Sequence, residues 1–182
     1  MMKVIAGFFA GMLFFAVLGW QYGGAFMFNE YESPFGVEET AARIQANMQS
    51  LSENGWKLSA LRDPGKAVNA AGSNVLPVLL VEACSTDYSG PLLKDDETRL
   101  LSILMPCTIT VYKKQDGKTY IATMNAGLMG KLFGSKVDEI MTKVAADQKV
   151  FITFDASKPA PPLIKKRPGG GGAAGGSDDP GC

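Results

Sequence analysis

The sequence predicts an α+β fold in two layers, a mainly antiparallel sheet with helices packed on one face, preceded by a transmembrane helix. Three observations lead there. The first is a hairpin signal: Asp116-Gly117 separates the segments ILMPCTITVYK and KTYIATMN, in which apolar and polar residues alternate. Asp-Gly favours a two-residue turn with positive φ at both central positions. The second is the pair of faces this turn implies. With a two-residue loop Gln115 pairs with Lys118, which sets Val111 opposite Ala122, Ile109 opposite Met124 and Cys107 opposite Ala126. Side chains alternate across a strand, so Ile103, Met105, Cys107, Ile109 and Val111 share a dry face. Thr108, Thr110 and Tyr112 share the other with Ile121, Thr123 and Asn125. A sheet dry on one side only is one that helices cover on one side only. The third observation is two apolar stripes at helical spacing, Val37, Ala41, Ile44, Met48 and Leu51, then Val137, Ile140, Met141 and Val144.

The elements follow in chain order. Residues 4–20, VIAGFFAGMLFFAVLGW, are uncharged and apolar after Lys3, a charge pattern that keeps the amino end in the cytoplasm. As a helix they span roughly 26 Å, slightly short of a ~30 Å hydrocarbon core, and extension toward Phe28 supplies the rest. Trp20 and Tyr22 fall where an interfacial aromatic belt is expected. The rival reading is a cleaved signal peptide ending near Gly23-Gly24-Ala25, and both readings export the domain. Gly7 and Gly11 form a G-x-x-x-G that lets two helices approach closely, for self-association or docking on another span. The expected division is therefore 1–28, anchor or signal peptide; 29–154, folded domain; and 155–182, a Pro/Gly-rich disordered tail.

Within the domain, Phe28 to Ser33 reads as a first strand stopped by Pro34. The first helix carries Glu38 and Glu39 at its positive end and stops at Asn54-Gly55. Trp56, Leu58 and Ala60 alternate with Lys57 and Ser59 as a half-buried strand, and Arg62 to Asn74 reads as a turn with a short helix. Val75 to Cys84 is almost continuously apolar, as in an interior strand. Ser85 to Ser102 reads as a crossing with a solvated acidic run, Asp95-Asp96-Glu97. Gly127 to Gly134 is a loop or short helix before the last helix, and Val150 to Phe154 either continues that helix or forms an edge strand. From Ala156 the prolines favour an extended spacer, and GGGGAAGGSDDPGC cannot bury enough apolar area to offset its ordering entropy.

Bulk properties narrow the function. The 182 residues carry 18 Lys plus Arg against 18 Asp plus Glu and no histidine. The dispersed basic residues provide no patch for nucleic acid. Lacking histidine, the chain by itself supplies no Ser-His-Asp or Cys-His pair and no histidine ligand for zinc or haem. Phosphate-cradling glycine motifs and C-x-x-C are absent as well.

The order helix, Gly55-Trp56, a strand ending Glu82-Ala83-Cys84, then Leu104-Met105-Pro106-Cys107-Thr108-Ile109-Thr110-Val111-Tyr112, the Asp116-Gly117 turn and Met124-Asn125 resembles family 302 of the domains of unknown function, over roughly residues 29–154. The resemblance implies a curved antiparallel sheet with helices on one face. It implies no reaction, and the apolar amino end and the glycine-rich tail lie outside it.

One chemical cluster stands out, Cys84, Cys107, Met105, Met124 and Glu82. Three readings stay open for it: plain buried hydrophobes; a Cys84–Cys107 disulfide, for which side-by-side strand positions are poorly placed; or a thiol-redox, reactive-sulfur or soft-metal site, with Cu(I) as the candidate cofactor. Cys182, near the end of the tail, suits an intermolecular disulfide. The polar row Thr108, Thr110, Tyr112, Thr123 and Asn125 is a candidate docking face. The expected function is a membrane-anchored, exported accessory or binding module, non-catalytic, held on the periplasmic side of the inner membrane as a homo-oligomer or as a subunit of a membrane assembly.

Overall fold

Between residues 28 and 151 the chain forms five strands and five α-helices in the computed structural model, which describes residues 11–17, 19 and 23–165. In order they are β1 (Phe28–Ser33), α1 (Val37–Gln49), β2 (Trp56–Arg62), α2 (Pro64–Ala70), β3 (Val78–Ser85), α3 (Thr86–Leu93), β4 (Cys107–Lys113), β5 (Thr119–Met124), α4 (Ala126–Leu132) and α5 (Ser135–Phe151). The sheet order is β1-β5-β4-β3-β2, with every neighbouring pair antiparallel. The fold is α+β, as the periodicity predicts. The interior strand expected from the apolar run is β3, flanked by β2 and β4.

The hairpin forms, but its register is one residue away from the expected one. Ile109 pairs with Thr123, Val111 with Ile121 and Tyr112 with Tyr120. The cause is the loop. Lys114 N–H donates to the Lys118 carbonyl at 3.0 Å, and Gly117 N–H donates back to the Lys114 carbonyl at 3.1 Å. Gly117 alone has positive φ there, at 82°. That geometry is a three-residue loop, a tight turn closed by one left-handed glycine, rather than a two-residue turn with two such residues. A slip of one residue moves a whole strand to the other face. Ile121 and Thr123 therefore join Ile109 and Val111 on the helix-covered side, where Thr123 is 3% exposed. Ala122 and Met124 join Thr110 and Tyr112 outside.

Two other expectations shift locally. Ile103 and Met105 precede β4 instead of extending it, because Pro106 has no N–H to give the ladder and biases Met105 toward an extended, non-helical backbone. The chain instead makes a 3-10 turn over Arg99–Leu104, and the Met105–Pro106 peptide is cis. In β2 an irregularity between Leu58 and Ala60 breaks the alternation. Ala60 thus pairs with Glu82 and Leu61 with Val81, and Leu61 takes the inward position.

The core lies between the sheet and α1 with α5. Ala41, Ile44 and Met48 of α1 and Val137, Ile140, Val144 and Phe151 of α5 meet Val81, Ala83, Ile109, Val111 and Ile121. Helix α5 runs on through Phe151, so Val150 to Phe154 holds no edge strand. Residues 155–165, the start of the segment expected to be disordered, run back along α1. The Arg43 guanidinium donates to the Asp155 and Lys158 carbonyls at 3.0 and 2.8 Å, and Gln45 exchanges two hydrogen bonds with the Ile164 backbone.

Among the described residues no helix is long and apolar enough to cross a membrane. About half of the expected anchor falls outside them, as do Gly7, Trp20, Tyr22, most of the tail and Cys182. Gly11 is described, within a helical stretch over residues 11–17 whose Met12, Leu13, Phe14, Phe15 and Val17 are exposed.

Candidate functional site

Where β4 begins and β5 ends, the sheet stops separating two layers, and an apolar pocket of about 50 Å³ opens between it, α3, α4 and α5. Leu101, Leu104 and Met105 come from the turn before β4, Met129 and Phe133 from α4 and its end, and Val137, Ile140, Met141 and Val144 from one face of α5. Cys84, Cys107 and Met124 complete a sulfur-rich wall. Helix α4 can press this close to α5 because residue 130 is glycine. A Cβ there would stand 2.8 Å from the Met141 Cβ and 2.9 Å from the Asp138 Cα.

The predicted cluster comes together only in part. Cys107, Met105, Met124 and Cys84 all border the pocket, but Glu82 does not. Glu82 alternates with Ala83 and so points to the opposite side of the sheet, where its carboxylate pairs with Arg62 at 2.5 Å. Met124 also belongs to the outward row and reaches the pocket only because it ends its strand. Cys107 is a free thiol and Cys84 is disulfide-bonded, so the two are not joined to each other. Burial pushes the Cys107 thiol up to about 11. Among the described residues no cation contributes to its shift, and at neutral pH it is a protonated, weakly polar wall group. Among the described residues no three His, Cys, Asp or Glu side chains gather closely enough to hold a metal.

The polar groups at the pocket's inner end are already engaged. Asp147, 9% exposed on α5, accepts hydrogen bonds from the Trp56 indole at 2.7 Å and the Tyr88 hydroxyl at 2.9 Å. Trp56 stands edge-on to Phe151 with ring centroids 5.0 Å apart, and edge-on to Tyr88 at 5.8 Å. Burial, reinforced by the bond to Asp147, pushes the Tyr88 phenol up to about 12. Ser85 donates to the Asn54 carbonyl at 2.6 Å and accepts from the Tyr88 amide. Sequence reading missed this Trp56–Asp147–Tyr88 hub. Its only advance signal was Asp147, a carboxylate one helical turn after the stripe residue Val144 and so on the inward side of the last helix.

The outward face carries a different network. Thr108, Thr110 and Tyr112 lie there as expected, but Thr123 is buried on the other side. Asn125 caps α4 by accepting from the Leu128 amide at 3.1 Å. Tyr112 instead shares its face with Tyr120, the rings 6.2 Å apart, and donates its hydroxyl to Glu30. Lys114 pairs with Glu30 at 2.6 Å and lies over the Tyr120 ring at 3.9 Å. Its hydrogen bond is the main cause that holds the Glu30 carboxyl below the usual range. Burial, with the bond to Glu30, pushes Tyr112 up to about 12. These groups satisfy one another across β1, β4 and β5, so the face is a closed polar mesh.

No curated protein matches the chain. A solved structure, the crystal structure of uncharacterized conserved protein DUF302 from Bacillus stearothermophilus, is similar with a TM-score of 0.59 at 19% sequence identity, covering 69% of this chain and 95% of that one. At that identity the likeness is one of fold. Residues 29–153 match the family described as Domain of unknown function DUF302, a span that runs from β1 through α5; the chain therefore belongs to the DUF302 family.

Proposed function

We propose that the chain is a membrane-anchored, exported binding module, accessory rather than catalytic, whose pocket at the end of the sheet receives a small apolar group. One observation carries this reading. The pocket wall is almost wholly hydrocarbon and sulfur, and the few polar groups beside it, Ser85, Tyr88 and Asp147, already bond one another or backbone. A group entering there gains by desolvation, and the one free thiol in the wall, Cys107, is kept protonated by burial rather than poised as a nucleophile. The volume admits a few heavy atoms as it stands, and methionine walls, unbranched and flexible, can yield further.

Anchorage is supported by the uncharged run at residues 4–20, which precedes β1 by seven residues. Intact-mass measurement of the protein from a native membrane separates an anchor from a cleaved signal peptide, since only the first retains residues 1–25. For the pocket, displacement of a fluorescent apolar probe from the detergent-solubilised full chain is the test. Val144→Phe is expected to abolish probe binding by filling the space, while a variant on the outer mesh, Thr110→Ala, leaves it unchanged. Equal binding by wild type and Val144→Phe would overturn the pocket assignment.

A second reading keeps the sulfur chemistry. Cys107 with Met105 and Met124 presents soft donors to one pocket, a set suited to Cu(I), with the thiol proton released on binding. Competition against a Cu(I) chelator, comparing wild type with Cys107→Ser, decides it: equal affinities remove the thiol from any such site.

A further inference from the structure

The domain has two unlike ends. Around the hairpin end lie Glu32, Glu38, Asp63, Lys66, Lys113 and Lys118. At the opposite end, where β1 starts, β5 stops and the pocket opens, large apolar side chains stand in the open: Phe28 62%, Leu100 64%, Ile103 84% and Leu132 63% exposed, with Phe133 beside them at the pocket edge. Leu100 and Leu132 adjoin the pocket residues Leu101 and Phe133 in sequence. Phe28 and Ile103 line a shallow groove that shares Leu104, Cys107 and Met124 with the pocket. The ion pair of Lys136 with Asp95, 2.8 Å long, holds the segment leading to Leu100 against the start of α5, next to Leu132 and Phe133. Soluble surfaces rarely gather exposed side chains of this size without a use.

What covers the rim follows from where the chain enters. Asn125, at the end of β5, fastens the incoming segment by donating its side-chain amide to the Phe26 carbonyl at 3.0 Å and its backbone N–H to the Met27 carbonyl at 2.8 Å. Strand β1 begins at the next residue, Phe28. Only residues 21–27 separate the apolar run 4–20 from β1, a reach of at most about 25 Å even fully extended, so the expected anchor ends near this end of the domain. We infer that the rim of Phe28, Leu100, Ile103, Leu132 and Phe133 lies in the boundary between lipid headgroups and acyl chains, so that the pocket opens onto the bilayer and its ligand is a lipid-dissolved apolar molecule. This rests on the anchored reading, and it adds an orientation: strands upright on the membrane, hairpin and charged loops away from it.

The test reconstitutes the full chain in vesicles of phosphatidylcholine and phosphatidylglycerol that carry a photoactivated diazirine on one acyl chain, and maps the labelled residues by mass spectrometry. Label is expected on residues 4–20 and on the rim peptides containing Leu100, Ile103, Leu132 and Phe133. Rim labelling should exceed that at Val68, 42% exposed near the charged end, by roughly tenfold, the ratio set by one aliphatic side chain's preference for hydrocarbon. The exposed-site double variant L100S/I103S should fold normally and lose the label on its own peptide. Label on residues 4–20 with none on the rim overturns the orientation and leaves the anchor standing, whereas label on neither overturns the anchor as well. A rim protected from both lipid label and a water-soluble carbene would assign it to a second copy of the chain and equally overturn the proposal.

Discussion

Asp147 is a polar side chain on which two ring groups of the core depend. It is the shared acceptor for the Trp56 indole and the Tyr88 hydroxyl. Asp147→Ala leaves the buried Trp56 indole and the half-buried Tyr88 hydroxyl without this acceptor, at roughly 1–3 kcal/mol for the indole and less for the hydroxyl, which water can reach. We expect a loss of about 3 kcal/mol in urea unfolding and an altered Trp56 emission, while Asp147→Asn, which keeps one carbonyl oxygen, should lose clearly less. Cys107 gives a pH dependence. Its folded thiol holds its proton up to about 11, against 9.0 in an unperturbed thiol. Between those values the unfolded chain releases the proton first, so stability is intact below the lower one and falls as pH climbs to the higher. Partial exposure of the residue discounts the full linkage to about 2 kcal/mol. The difference in unfolding free energy between pH 8 and pH 11 should therefore be larger in wild type than in Cys107→Ala by about that amount. Tyr88 and Tyr112 titrate alike in both proteins and cancel.

At the level of elements, the contact of α4 with α5 depends on Gly130. On an open helix, alanine would gain up to about 1 kcal/mol over glycine from propensity alone. Here its methyl would stand 2.9 Å from the Asp138 Cα, a backbone atom that cannot rotate away, and overpacking of that kind costs about 1–3 kcal/mol. The clash wins. Gly130→Ala should be destabilising by about 1–2 kcal/mol in thermal or urea unfolding, and should widen the pocket that Met129 and Met141 line. The hairpin teaches a related lesson. Alternation in β4 and β5 identified both strands correctly, but the pairing depended on whether two or three residues close the loop. The Gly117 N–H bonded to Lys114 settles on three, and every side chain of β5 changed face as a result. Thr123, expected outward, is buried, while Met124, expected on the dry face with Cys107, belongs to the outer row.

For the whole molecule the testable quantity is attachment to lipid. Flotation of the full chain with liposomes through a sucrose gradient should place it with the lipid. The double substitution Leu13→Lys and Phe15→Lys should leave it at the bottom, since each lysine near the middle of a span costs about 2.5–3.5 kcal/mol. Flotation of that variant equal to wild type would mean that residues 4–20 do not hold the protein in the bilayer. The same preparation shows whether copies associate: Gly11→Leu is expected to weaken any dimer seen by cross-linking in the vesicles if the Gly7 and Gly11 stripe packs two spans together.

The sequence by itself determined the class of the fold, the identity of all five strands, the two long helices and that this chain carries no histidine. These are local properties, carried by apolar spacing over ten or so residues and by composition. Only the tertiary structure decided which face Thr123 and Met124 occupy, that Glu82 leaves the sulfur cluster for Arg62, and that Asp147 closes onto Trp56 from 91 residues away. Periodicity says which residues of one element face together. It does not say how two elements are placed against each other, and that placement depends on single features such as a loop of three residues, a bulge at Ser59 or a glycine where two helices meet.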